Sequence, residues 1–363
     1  MLKNIEKRNI NLDIIRIFSL FCVICVHFFY YSEFYNENVT GPRMFIMCLF
    51  RSFFIICVPM FLILTGYLMN QKKIEKSYYK GIIKILVVYF LCSILYSLIV
   101  KYYDKNDMNI FIFLKNILSY EGTKYSWYVE MYIGLFLIIP FLNLIFNNIQ
   151  DKNKTKLLLY TLIFMVGIPC ILNIHRFGSF EWWKQPAINN KYLKIIPQWW
   201  NNLYPIFYYF LGAYLKKYPI KMSCKFNLIF LMLAVTVDGA FNFYRSYGNK
   251  YVFGIWNDYA SFSVMLVSFL TFNLLLKISV NTNEKFEEIL KIISDSCFGA
   301  YLISCCFDTA FYPILLTLVP NIKSRFIYAP IMALCIFISS LGTSMVITYI
   351  SKKICKLIYS FKN

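Results

Sequence analysis

The sequence predicts an all-α polytopic membrane protein. Of its 363 residues, 59% are apolar and only 15% are charged, whereas soluble domains have about 45–50% apolar and about 25% charged residues. Long apolar runs alternate with short basic clusters along the whole chain. This pattern excludes a soluble cytosolic enzyme and a disordered protein. We expect one membrane-embedded domain over residues 1–363, with no appended soluble domain.

The charge balance has a topological explanation. The formal net charge is +19, from 37 Lys and Arg against 18 Asp and Glu. On a soluble protein such an excess would indicate nucleic-acid binding, but here the basic residues lie between apolar runs. We therefore expect the lipid bilayer, and no nucleic acid, as a partner.

The apolar runs give the number of helices. A spanning helix needs about 20 apolar residues, and ten runs approach that length. The sixth run is short and the fifth contains Pro169, so we expect about ten helices. They lie near 13–31, 43–69, 81–100, 126–147, 157–174, 203–215, 227–244, 259–276, 296–319 and 326–350.

The orientation follows from the basic residues, because cytoplasmic segments of membrane proteins are enriched in Lys and Arg. If the N-terminus is inside, every cytoplasmic segment carries at least three basic residues. The first apolar run is too long for a signal peptide and lacks a small-residue cleavage site. We expect it to remain as the first helix, with both termini in the cytoplasm.

Cysteines are frequent, but their positions indicate packing. Most of the twelve lie inside apolar runs, where a cysteine behaves as a small hydrophobic residue. Cys22 and Cys25 form a C-x-x-C pair, but no second pair or His pair follows at zinc-binding spacing. We expect no metal site and no permanently bound cofactor.

Ionisable residues inside a spanning helix mark candidate functional sites. The first helix contains Asp13, Arg16 and His27. Arg16 and His27 are eleven residues apart, which places both on one helix face with an axial separation of about 16 Å. The stripe therefore carries a cation near the cytoplasm and an imidazole towards the outer leaflet.

This arrangement fits a long ligand with an anionic end and a reactive end. Histidine is the usual general base, and a guanidinium binds phosphate well. Coenzyme A has such a shape. The alternative is a buried histidine bonded to the backbone and an arginine that snorkels to lipid headgroups. The joint placement on one face favours the functional interpretation.

Weaker candidates lie on the next three helices. Arg51 enters the second helix from outside, and snorkelling is an adequate alternative explanation for it. Lys80 and Lys84 share a face at the cytoplasmic start of the third helix, where they hold phosphates or only enforce topology. Glu130 enters the fourth helix, where it accepts a sugar hydroxyl or pairs with Arg51.

Five motifs follow one another along the chain. The first is Leu12-Asp13-Ile14-Ile15-Arg16 followed by His27. The others are Val58-Pro59-Met60-Phe61 with Thr65-Gly66-Tyr67-Leu68, Trp127-Tyr128 with Pro140, Tyr209-Phe210-Leu211-Gly212, and Ser296-Cys297-Phe298-Gly299-Ala300-Tyr301-Leu302-Ile303. This order is similar to that of the acyltransferase-3 family of integral membrane acyltransferases, and the resemblance runs through nearly the whole chain.

The resemblance implies transfer of an acyl group, most often acetyl from acetyl-CoA, to a hydroxyl of a cell-surface polysaccharide or lipid-linked sugar. His27 would be the catalytic base and Arg16 its companion. Substrate-binding residues would be Asp13, Arg51, Tyr67, Lys80, Lys84, Trp127, Glu130 and Tyr301.

Two positions depart from the family pattern. Ser304 stands where many members have a histidine, and Lys80 and Lys84 stand where many have an arginine cluster. Lysine cannot bind phosphate in the bidentate manner of arginine, so the donor site differs from the common pattern.

A transporter or flippase of a glycolipid or small solute is the alternative function. Intramembrane ionisable residues also suit a translocation path, but such proteins often contain inverted repeats, and none is recognisable here. The heavy use of Ile, Lys, Asn, Phe and Tyr indicates an AT-rich genome. We therefore expect a multi-pass protein of a bacterial cell membrane.

Overall fold

The computed structural model describes residues 8–104, 109–173, 184 and 194–360. Of these residues 79% are helical, and none lies in a strand. The predicted all-α membrane architecture is confirmed. Within the same ranges, eight helical segments are long and apolar enough to span a membrane: Ile10–Asn36, Gly41–Met69, Lys76–Tyr102, Trp127–Asn148, Lys152–Leu172, Cys224–Ser246, Glu284–Leu318 and Ile322–Ser360.

The α-helices, numbered in chain order, have the following bounds: α1 Ile10–Tyr31, α2 Gly41–Phe54, α3 Cys57–Met69, α4 Lys76–Tyr79, α5 Gly81–Asp104, α6 Ile110–Leu118, α7 Trp127–Asn148, α8 Lys152–Val166, α9 Pro169–Leu172, α10 Tyr204–Lys217, α11 Cys224–Ser246, α12 Phe262–Leu275, α13 Glu284–Leu318, α14 Ile322–Arg325 and α15 Ala329–Ser360.

Two of the ten predicted spans correspond to short helices. Both α10 and α12 have 14 residues, which extend about 21 Å, less than the roughly 30 Å of a hydrocarbon core. Nine consecutive residues of α10, 207–215, are buried, so this helix lies inside the bundle. The total of ten spans stays a prediction.

The second predicted span is interrupted. Helix α2 ends at Phe54 and α3 begins at Cys57, with Ile55 and Ile56 between them. Pro59 lies in the first turn of α3 and has no N–H to continue the hydrogen-bond ladder of α2. The sequence pattern alone predicted one continuous helix because the apolar run continues through the break between α2 and α3.

Helices α3 and α10 touch through glycine. A Cβ atom added to Gly66 would lie 1.9 Å from the carbonyl oxygen of Tyr209, and one added to Gly212 would lie 1.9 Å from that of Ile63. Small residues at such crossings let membrane helices approach closely. Both glycines belong to the sequence motifs quoted above, so these motifs include packing positions.

Helices α1, α3 and α13 form the centre of the bundle around the candidate site. Helix α1 packs against both α3 and α13, and α13 packs against α15. Because α1 and α13 run in the same direction in the predicted topology, successive residues of one meet successive residues of the other.

Candidate functional site

The stripe predicted on α1 faces α13. Near one end of α1, the Arg16 guanidinium donates a hydrogen bond to Ser294 Oγ over 2.5 Å. Near the other end, His27 Nδ1 lies 3.9 Å from Asp308 Oδ2. The two predicted catalytic residues therefore mark the two ends of one helix–helix interface.

His27 is held by ring stacking. Its imidazole lies against the ring of Tyr125 with centroids 4.0 Å apart, and its side chain is 21% exposed. Nδ1 is buried and has no hydrogen-bond partner among the described residues. The orientation of the ring turns Nδ1 towards the carboxylate of Asp308, so Nε2 is the nitrogen that remains for other contacts.

Asp308 is the acidic neighbour of His27. It is 1% exposed, and its Oδ2 accepts a hydrogen bond of 2.5 Å from the Tyr125 hydroxyl. Oδ1 has no hydrogen-bond partner in the described part of the chain. Burial raises the pKa of Tyr125 well above its ordinary value, so the phenol stays protonated and can donate to the carboxylate.

Asp308 and Tyr125 are the residues that sequence reasoning missed. In the sequence, Asp308 is an isolated acid in the apolar run near 296–319, and Tyr125 lies just before the predicted span near 126–147. The predicted topology contains one indication of these contacts, because it makes α1 and α13 run in the same direction. Ser294 and Asp308 are fourteen residues apart on α13, and they contact Arg16 and His27 respectively.

The predicted cytoplasmic end of the stripe contains two arginines and one carboxylate. Arg8 donates two hydrogen bonds to Asp13, of 2.6 and 2.7 Å, and these contacts raise the pKa of Arg8. Arg16 lies 3.6 Å from the same carboxylate. The side chain of Asp13 is 5% exposed, so both guanidinium groups lie against one buried carboxylate.

A cavity of about 280 Å³ lies along this stripe. Arg16, Lys84 and Asp295 line it towards the predicted cytoplasmic side, and Tyr128 and Tyr301 line it at the other end. The remaining lining is largely apolar and comes mainly from α1, α3, α5 and α13: Val23, Val58, Phe61, Leu64, Thr65, Leu68, Met69, Ile85, Val88, Tyr132, Phe298, Gly299 and Thr348. We refer to it as the donor cavity.

One aromatic ring, that of Tyr125, lies between His27 and the Tyr301 wall of the donor cavity. Tyr301 lines the cavity, is 5% exposed and donates a hydrogen bond of 2.6 Å to the carbonyl of Tyr125. The rings of Tyr301 and Tyr125 are stacked with centroids 6.0 Å apart. Tyr301, Tyr125 and His27 thus form a continuous stack from the cavity to the imidazole.

The two predicted lysines differ in position. Lys84 lines the donor cavity, whereas Lys80 is exposed and is not among the lining residues. The carbonyl of Lys80 accepts a hydrogen bond from the Tyr359 hydroxyl. Tyr67 is not among the lining residues either. It is half-buried, its ring centroid lies 5.9 Å from that of Phe272, and Lys216 Nζ lies 5.1 Å from the ring.

Trp127 and Glu130 lie on an exposed face at the start of α7. Trp127 is 40% exposed and stacks on Tyr259 with ring centroids 5.8 Å apart. Glu130 lies one turn further along the helix and is exposed. Tyr128, between them in sequence, turns inwards to line the donor cavity.

Arg51 belongs to a separate cluster. It is 3% exposed, so it does not snorkel to the surface. Its guanidinium donates to the carbonyl of Asn257 over 3.1 Å and to the Tyr35 hydroxyl over 3.4 Å, and lies 4.9 Å from the ring centroid of Tyr251. The structure therefore does not bring Arg51 into the donor cavity.

The hydroxyl and thiol groups near the site are mostly engaged in packing. Ser304 is fully buried and donates to the carbonyl of Tyr301 on its own helix. All twelve cysteines are free and ten of them are buried. In the described ranges, no three His, Cys, Asp or Glu side chains are grouped as metal ligands would be.

The chain was compared with known proteins. The family model described as the acyltransferase domain of the acyltransferase-3 family matches residues 9–349. Neither the curated proteins nor the solved structures contain a significant match. The matched range is nearly the whole chain and includes Asp13, Arg16 and His27, the lining of the donor cavity and Asp308. The chain belongs to the acyltransferase-3 family, whose members are membrane acyltransferases.

Proposed function

We propose that the protein is an O-acyltransferase that moves an acetyl group from acetyl-CoA to a hydroxyl of a cell-surface polysaccharide or lipid-linked sugar. Acyl transfer itself follows from family membership. The donor, the acceptor and the role of His27 are the proposed parts. Succinyl-CoA or another acyl-CoA fits the same scheme.

One observation carries the proposal. The donor cavity has cationic side chains, Arg16 and Lys84, at one end. Its other end is joined to His27 by the stacked rings of Tyr301 and Tyr125. A ligand with phosphates at one end and a thioester at the other matches this polarity.

The cationic end suits the phosphates of coenzyme A. Arg16 and Lys84 are basic side chains, and charge-assisted hydrogen bonds to phosphate are among the stronger polar contacts. The distance of about 16 Å between the levels of Arg16 and His27 on α1 is comparable to the reach of the pantetheine arm. The apolar middle of the cavity suits that arm.

His27 would act as general base beyond the rings of Tyr301 and Tyr125, which would have to move aside for the thioester to reach it. Its Nε2 takes the proton of the acceptor hydroxyl while the hydroxyl oxygen attacks the thioester carbonyl carbon. The new C–O bond forms, the C–S bond breaks, and the thiolate leaves and takes the proton from His27. Asp308 faces Nδ1 and would stabilise the imidazolium between these two proton transfers.

The acceptor would arrive from the outer side. The exposed Trp127, stacked on Tyr259, offers an aromatic surface for a sugar ring, and Glu130 offers acceptor atoms for sugar hydroxyls. Tyr128 connects this surface to the donor cavity. A multi-pass protein of a bacterial cell membrane would thereby join a cytoplasmic donor to an external acceptor.

Label transfer tests the proposal. Purified protein in proteoliposomes would receive acetyl-CoA radiolabelled in the acetyl group and glycans extracted from the source cells. Wild type is expected to acetylate a glycan fraction, and His27→Ala to lose at least about 100-fold in rate, while Ser304→Ala retains activity. A wild type that moves glycans across the membrane without covalent labelling would instead support the transporter alternative.

A further inference from the structure

A second cavity opens on the lateral surface of the bundle. It has a volume of about 570 Å³ and lies between α11 and α12, with Cys170 and Ile171 of α9 at one edge. Phe230, Leu233 and Val237 form the α11 wall, and Leu266 and Leu270 belong to the α12 wall. We call it the lateral groove. From Phe230 to Asp238, which also lines it, the groove extends about 12 Å along α11.

The lateral groove is open to the bilayer. Phe230, Leu233 and Val237 are 51%, 57% and 60% exposed, and all three lie within the spanning segment Cys224–Ser246. At this level of a membrane protein the exposed surface contacts hydrocarbon. A molecule that enters from the side must therefore present a hydrocarbon chain.

One end of the lateral groove is polar. Asp238 lines it and is 4% exposed, and Ser261 and Ser263 line the same end with their hydroxyls 3.2 Å apart. An ionisable residue in a spanning helix is costly and usually functional. Asp238 already accepts hydrogen bonds from Ser263 and Ser52, and hydroxyl groups at the outer end of a bound chain would find further hydrogen-bond partners here.

The polar end is continuous with the proposed acceptor surface. Trp256 and Ser261 line the groove, and Tyr259 lies between them in the same loop. Tyr259 stacks on Trp127, and its carbonyl accepts a hydrogen bond of 2.7 Å from Tyr208, which fixes the loop to α10. A headgroup at the polar end would thus lie beside the loop that supports Trp127.

We infer that the lateral groove binds the hydrocarbon chain of a lipid-linked sugar, and that this amphiphile is the acceptor. The inference rests on the proposed function and selects the lipid-linked acceptor over a free polysaccharide. The chain occupies the groove from the bilayer side, and the sugar extends from the polar end towards Trp127. The groove raises the affinity for the acceptor without taking part in bond formation.

A matched pair of variants tests the groove. Leu266→Trp fills the lateral groove at a side chain that is 38% exposed, and Leu86→Trp places the same bulk in another lateral cavity at a side chain that is 39% exposed. The two acceptors are the lipid-linked glycans extracted from membranes and the water-soluble oligosaccharides released from them by mild acid.

The expected result is selective. In Leu266→Trp, KM for the lipid-linked glycans rises at least about fivefold, and the KM for the released oligosaccharides and the kcat are unchanged. Leu86→Trp leaves the KM for both acceptors and the kcat unchanged. An unchanged KM for the lipid-linked glycans, or an equal change for both acceptors, would overturn the inference. Phospholipid that is retained by wild type and lost from Leu266→Trp, with KM unchanged, would assign the groove to bulk lipid.

Failure of the proposed function looks different. If wild type acetylates neither acceptor, the function is wrong irrespective of the groove. If the folded Leu266→Trp variant acetylates the released oligosaccharides at the wild-type rate, the active site is intact and any loss with lipid-linked glycans belongs to the groove.

Discussion

His27 obtains its surroundings from two side chains that are distant in sequence. Asp308 lies 3.9 Å from its Nδ1, and Tyr125 both stacks on the imidazole and donates to Asp308. The Arg16–His27 spacing was predictable because a helix has a fixed period. The partners were not, since their approach depends on how α13 and the loop before α7 pack against α1.

Removal of the carboxylate charge tests Asp308 as a positioning residue. We expect Asp308→Asn to lower kcat by at least about 100-fold, a loss within the range of general-base effects, while KM for acetyl-CoA stays within twofold. Asp308→Glu should recover part of kcat, because the carboxylate returns. Steady-state kinetics of both variants beside Ser304→Ala would check this.

Ser304 is the control because it lies one turn earlier on α13 and bonds to its own helix. If Asp308→Asn and Ser304→Ala were equally active, Asp308 would have no positioning role. If Asp308→Asn lowered the yield of folded protein together with KM and kcat, the effect of the substitution would be structural.

The two lysines permit a second comparison. Lys84 lines the donor cavity and Lys80 does not, although both share the predicted helix face. We expect Lys84→Gln to raise the KM for acetyl-CoA about fivefold, because it would remove about 1 kcal/mol of phosphate binding. Lys80→Gln should change this KM less than twofold. Equal effects of the two variants would show that the cavity does not hold the phosphates.

At the scale of helices, the sequence motifs have two different roles. Gly66 and Gly212 bring α3 and α10 into backbone contact, whereas Trp127 and Tyr301 belong to the site. Length and apolarity were sufficient to predict the approximate positions of the long helices. They did not predict α6, nor the start of α13 at Glu284 instead of near residue 296. The break between α2 and α3 was not predicted, because it depends on the missing N–H of Pro59 within a continuous apolar run.

The glycine contact predicts a local cost. Gly66→Ala would place a methyl group against the backbone of α10, so we expect the free energy of unfolding to fall by about 1–3 kcal/mol, as in other overpacked sites. Gly134→Ala, where a Cβ would meet no atom within 4 Å, is the matched control. Thermal unfolding in the same detergent would measure both. An unchanged melting temperature for Gly66→Ala would show that the helices can separate at no cost.

At the scale of the whole molecule, the basic clusters and the polarity of the site agree. The charge distribution assigns the N-terminus and the Arg16 end of the stripe to the cytoplasm. The donor cavity has its cationic end on that side and the His27 cluster towards the other. The distribution of basic residues therefore predicts that the donor binds from the cytoplasmic side, and it gives no information about the acceptor.

The most direct test of this account is the sidedness of acetyl transfer. Wild type would be reconstituted in proteoliposomes of one defined orientation, with labelled acetyl-CoA only at the predicted cytoplasmic face and the glycan acceptor only at the opposite face. The account predicts labelled acceptor at the face opposite the donor, and its loss in His27→Ala. Labelling that requires donor and acceptor on the same face would contradict it.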